Sequence, residues 1–191
     1  AIRRFSAFTL ATGTIFGFVR AVQTATKEAL TFERELVKLE QITGKSGKAL
    51  DGIRKSVDQL SKSLGIDANE LLKVGKTFAQ TGQTLDQVKR SMEAVARSSL
   101  APTFGTMAST TEGLIAAMAQ FNIKAGDSEK VLGSLNAVSK KFAVESSDLI
   151  SAVRRAGGVF AATSNQVKEP IQSLNELIAI FTAVRSTTRE T

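Results

Sequence analysis

Leu64-Gly65-Ile66-Asp67-Ala68-Asn69-Glu70-Leu71-Leu72, then Phe78-Ala79-Gln80-Thr81-Gly82-Gln83-Thr84-Leu85-Asp86, then Met92-Glu93-Ala94-Val95-Ala96, spell two short helices with their punctuation. Asp67 stands where it can cap the first, and Glu70 three residues on is placed to reach back to the freed amide. Leu71, Leu72, Val74, Phe78 and Ala79 share one face at about 3.6 residues per turn. Gly82 stops that helix, because a residue without a Cβ enters the left-handed region at no steric cost. Thr84, with Gln87 three residues on, opens the second helix by the same device.

A weaker copy of this grammar appears downstream. Phe142-Ala143-Val144-Glu145-Ser146-Ser147-Asp148-Leu149-Ile150 aligns with residues 64–72 hydrophobe for hydrophobe and acid for acid. Leu135-Asn136-Ala137-Val138-Ser139 likewise echoes Met92-Glu93-Ala94-Val95-Ala96. Between the two copies, Pro102 in Ala101-Pro102-Thr103-Phe104-Gly105 marks a hinge. Residues 106–121 resume helix with Leu114, Ile115, Met118 and Phe121, and Asp127 is expected to cap the helix that ends near Phe142. A further helix from Ser146 carries Gly157-Gly158 inside it, which marks a tight crossing or a kink. Pro170 suits the first position of the last helix, which presents Ile171, Leu174, Leu177, Ile178 and Phe181.

Toward the N-terminus, residues 3–42 read as one helix. Phe8, Ile15, Val22, Ala29 and Leu36 fall seven apart, and Ala11, Phe18, Ala25, Phe32 and Leu39 follow each by three. All are apolar, as in the seam of a coiled coil. The flanking positions turn acidic late, at Glu28, Glu33, Glu35 and Glu40. Such a rod spans about 60 Å. The alternation of Phe8, Phe18 and Phe32 with Ala11, Ala25 and Ala29 is too uneven for a dimer seam, so a trimer or higher self-assembly is expected. Gly44-Lys45-Ser46-Gly47 breaks the rod. It imitates the end of a phosphate-binding loop, but that motif needs a glycine where Leu39 stands. Ser46 is read as the cap of a helix carrying Leu50, Ile53, Val57, Leu60 and Leu64.

The organisation expected is therefore all-α: residues 1–43 a coiled-coil-like rod, 44–182 a compact Ala-rich domain of short capped helices, and 183–191 the start of a continuing helix or linker. Ala1 in place of Met, and the polar run at the other end, read as an internal piece of a longer chain. Scarce proline, with only Pro102 and Pro170, agrees with an all-helical reading.

Composition narrows the chemistry. There is no Cys and no His, which removes thiol and imidazole catalysis, disulfides and the common zinc sites. No catalytic, cofactor-binding or metal-ligating residues are assigned, and the chain is read as a non-enzyme. Glu145-Ser146 imitates the catalytic dipeptide of lytic transglycosylases, without the segment that should follow; Glu145 is read as a helix cap like Asp67. The net charge of +7 is concentrated at the front, where residues 1–65 hold eleven Lys and Arg against six acids. That excess could face nucleic acid, anionic lipid or an acidic protein wall. Fifteen uncharged residues lie between Arg4 and Arg20, among them Phe5, Phe8, Ile15, Phe16 and Phe18. These are the residues available for membrane contact, although the run is short of the ~20 apolar residues a span needs.

The ordered series of caps, Gly-closed Ala-rich helices and second capped helices over residues 40–182 resembles the core domain of phage tail tape measure proteins. The resemblance implies a structural virion protein, assembled in the host cytoplasm, that occupies the tail tube lumen or tail tip. It implies that the protein sets tail length during assembly and leaves ahead of the DNA during genome ejection. The implied partners are copies of itself, tail tube and tail tip or baseplate proteins, and the host membrane during ejection, with no specific nucleic-acid site. The Lys and Arg of the rod would face the tube wall. A membrane-active helical protein forming or lining a channel in the host envelope is the alternative, and an unrelated coiled-coil adaptor is a third.

Overall fold

Helical periodicity runs through every segment, and the described residues are all-α. The computed structural model describes the backbone of residues 2–164 and 169–189, and the side chains of residues 20–163 and 169–185. Among the described residues eight helices follow in order: α1 (Ile2–Thr43), α2 (Asp51–Leu64), α3 (Ala68–Gln80), α4 (Leu85–Ser98), α5 (Met107–Phe121), α6 (Ser128–Phe142), α7 (Ser146–Ser164) and α8 (Pro170–Arg189). Short 3-10 turns at Gly47–Leu50 and Ala125–Asp127 lead into α2 and α6, and no strand occurs among the described residues.

The central pair forms as its residues dictate. The Asp67 carboxylate accepts from the Glu70 amide at 2.9 Å, so half of the expected capping box is made. The box is complete at Thr84, whose hydroxyl accepts from the Gln87 amide (3.4 Å) while its own amide donates to the Gln87 side chain (2.8 Å). Gly82 takes a φ of +81° just past the end of α3. Leu71, Leu72, Val74, Phe78 and Ala79 are all buried, and α3 packs against α4.

The downstream echo has a structural counterpart in its turn. Gly65 and Ala143 close α2 and α6 in the left-handed conformation, and each is followed by an inward hydrophobe, Ile66 or Val144. Asn122 and Ile123 make the same turn after α5, with the Ile123 amide donating to the Met118 carbonyl at 3.0 Å. Three helix ends are thus tied by one device, a left-handed residue followed by an apolar plug.

Two expected caps are replaced. Ser46 makes no side-chain cap; the Glu40 carboxylate takes the Gly47 amide at 3.2 Å instead, because the chain doubles back over the end of α1. Asp127 makes none either: with φ −100° and ψ 8° its backbone is not extended as a cap's is, and its carboxylate pairs with Lys130 at 2.7 Å. Gly157 marks a tight crossing of α5 and α7: a Cβ there would lie 2.1 Å from Gln120 Oε1 and 2.9 Å from Phe121. Gly113, on α5, admits Ile150 of α7 in the same way. Pro170 is the first residue of α8, with Leu174, Leu177 and Ile178 in the core.

Candidate interaction surface

α1 is one uninterrupted helix of 42 residues, and its two ends meet different surroundings. The last dozen residues lie along α3. Leu36 and Leu39 are completely buried there, and Phe32 packs partly buried against the same core. Their spacing of three and four places them on one stripe. Higher up, Val22, Ala25 and Ala29 are exposed. Phe5, Phe8, Ala11, Ile15, Phe16 and Phe18, the remaining seam and membrane-contact residues, lie outside the residues whose side chains are described.

The acids late in α1 serve as anchors within the chain. The Arg54 guanidinium grips Glu33 with two bonds of 2.9 and 3.2 Å, tying α1 to α2. Glu35 is buried and receives Lys38 at 2.6 Å and Lys76 of α3 at 2.7 Å. Bonds from Lys38 and Lys76 hold the Glu35 carboxyl below the usual carboxylate range against the opposing effect of burial. The bond from Arg54 does the same for Glu33, and Arg54 is raised in return. Reading these glutamates as flanks of an inter-chain seam missed their role. The signal available was the Glu35-to-Lys38 spacing beside a stripe that turns bulky at Phe32, Leu36 and Leu39.

Nothing resembling a reaction centre is assembled by the residues singled out. Glu145 is exposed and its carboxylate does not make the cap bond that Asp67 makes; only its carbonyl accepts, from the amides of Asp148 (3.0 Å) and Leu149 (3.3 Å) at the start of α7. Ser146 is fully buried and bonded to Thr103 at 3.0 Å, so it presents no hydroxyl to a substrate. Among the described residues no group of acidic side chains is gathered to hold a metal. No helix among them is long and apolar enough to cross a membrane.

The sequence profile of the phage-related minor tail protein family matches residues 54–188, which run from α2 into α8. The chain belongs to that family. No solved structure matches it. Membership makes this minor tail protein a structural component of a phage tail and hence of the virion. The matched region takes in most of the compact helical body and leaves α1 wholly outside, so what α1 does must be argued from its own residues.

Proposed function

We propose that this minor tail protein is part of a tail tape measure protein. α1 lies in the tail tube as a segment of the length-setting rod, and the helical body forms a local thickening toward the tail tip. The observation that carries this reading is the rod: of 42 residues of unbroken helix, those before Phe32 leave a compact body with an exposed flank at Val22, Ala25 and Ala29. A helix converts residue count into length at about 1.5 Å per residue, which is the property a ruler needs. Copies of the chain, three or more, share the seam from Phe8 to Ala29, while Leu36 and Leu39 are already committed to α3 of their own chain. In this role the protein precedes the genome out of the tube.

The test inserts two further copies of residues 8–28 after Glu28 in the full-length protein, which keeps the heptad register. The insert adds about 63 Å of helix. Electron microscopy of the resulting particles should show tails longer by about that amount. Tails of unchanged length on correctly assembled particles would overturn the reading.

A further inference from the structure

The charges of α1 are sorted by side. Glu33, Glu35 and Glu40 are consumed by Arg54, by Lys38 and Lys76, and by the Gly47 amide. Arg20, Lys27 and Arg34 are exposed and enter no ion pair among the described residues. The reason is positional. On a helix only residues three or four away are neighbours, and those of Arg20 are Phe16, Gly17, Gln23 and Thr24. Those of Lys27 are Gln23, Thr24, Leu30 and Thr31, and those of Arg34 are Leu30, Thr31, Val37 and Lys38. No acid stands at any of these places. Glu28, the remaining acid of this stretch, is adjacent in sequence to Lys27 and so points about 100° away from it.

The three cations are seven residues apart, and a heptad returns to the same side of a helix within about 20°. They form a stripe about 21 Å long. Lys27 and Leu36, nine residues apart, lie on opposite sides, so the stripe faces away from the body that buries Leu36. Leu30 and Val37 run alongside it, 56% and 48% exposed.

We infer that this stripe is a docking surface for an acidic protein wall, whose carboxylates pair with Arg20, Lys27 and Arg34 and whose apolar residues cover Leu30 and Val37. Uncompensated charge selects an anionic partner. The flanking leucine and valine select protein over nucleic acid, because a phosphate backbone offers nothing apolar to cover them. The inference rests on the rod lying in the tail tube, and it names the chemistry of what surrounds the rod.

The test treats purified tails that contain the full-length protein with a carbodiimide, which joins an amine to a carboxylate in salt-bridge contact. Lys27 should be recovered joined to an Asp or Glu of another tail protein. Recovery joined only to this protein, in the same or another copy, or no joining of Lys27, overturns the inference. In parallel, R20Q/K27Q/R34Q in the full-length protein should lower the yield of complete tails at least tenfold. K48Q/K55Q/K124Q, the same charge change on other exposed lysines, should leave it within twofold. Equal losses in both triple variants, or nuclease treatment that releases the wild-type protein from the tails, also overturn it. Tail length that follows heptad insertion while Lys27 joins nothing would sink this inference alone. Length that ignores the insertion while Lys27 is joined to another tail protein would sink the ruler reading alone.

Discussion

Gly113 and Gly133 both sit in helix interiors, yet replacing each by alanine should move stability in opposite directions. The gain from alanine over glycine in a helix is about 1 kcal/mol in each case, since it comes from the backbone freedom of the unfolded chain. Gly133 is exposed on α6, and a Cβ there would meet nothing within 4 Å. Gly133→Ala should therefore show most of that gain. At Gly113 a Cβ would lie 2.2 Å from Ile150 Cγ2, 3.1 Å from Cγ1 and 3.2 Å from Cβ. Rotating the Ile150 side chain moves the two γ-carbons but not its Cβ, so α5 and α7 must separate slightly. Overpacking of this kind costs about 1–3 kcal/mol. The helix term is common to both variants, so they should differ by about the overpacking cost alone. Urea unfolding followed by helical circular dichroism measures this as a difference in midpoint at constant slope. Ile150→Ala should cost less in the Gly113→Ala background than in the wild type, a favourable coupling in a double-mutant cycle. If Gly113→Ala stabilises as much as Gly133→Ala, the close crossing of α5 and α7 is wrong.

Three smaller perturbations follow from the same structure. Thr84→Ala removes the hydroxyl that takes the Gln87 amide and should cost about 1 kcal/mol by urea unfolding. Leu39→Ala, at a fully buried site, should cost about 2–5 kcal/mol if α1 is part of the core, and little if the rod is independent of the body. The pH dependence has a definite sign. Glu35 and Glu33 are held below their ordinary value of 4.5, so the stability they supply is fully present above that value. It is lost as pH falls through their lower folded values. Glu35→Gln should therefore cost stability at neutral pH, and its deficit against wild type should shrink in acid; a deficit that stays constant through the acid range would exclude the Lys38 and Lys76 contacts as its source.

Local structure was legible wherever neighbours in sequence settle it. Asp67, Thr84 and Gly82 act within three residues of themselves, so their spacing is enough to place the ends of α3 and α4. Ser46 and Asp127 have equally good cap chemistry and do not use it: Glu40, seven residues before Gly47, supplies an acceptor at the first turn, and Asp127 ends a 3-10 turn in a backbone conformation that is not the extended one of a cap. The Gly157 crossing was legible as a requirement for space, since glycine inside a helix needs a reason. Which residues fill the space, Gln120 and Phe121, depends on how α5 and α7 cross and could not be read from either segment.

The rod shows the limit of periodicity most clearly. A seven-residue repeat states that one side of α1 is apolar, and says nothing about whether its partner is another chain or the same one. Phe32, Leu36 and Leu39 continue the repeat of Phe8 to Ala29 without a break, but they close onto α3. What separates the two parts is charge. Where α1 meets its own body, Glu33, Glu35 and Glu40 each find a partner at a distance in sequence. Above that level no acid of the rod does, and Arg20 and Lys27 point outward at the same seven-residue spacing as the seam, with Arg34 one heptad further along the outer side of the docked part. An intramolecular helix contact ends where its counter-charges end. On that criterion the free part of the rod begins between Ala29 and Phe32, and there a continuous helix passes from a surface satisfied by its own chain to one that only other molecules can satisfy.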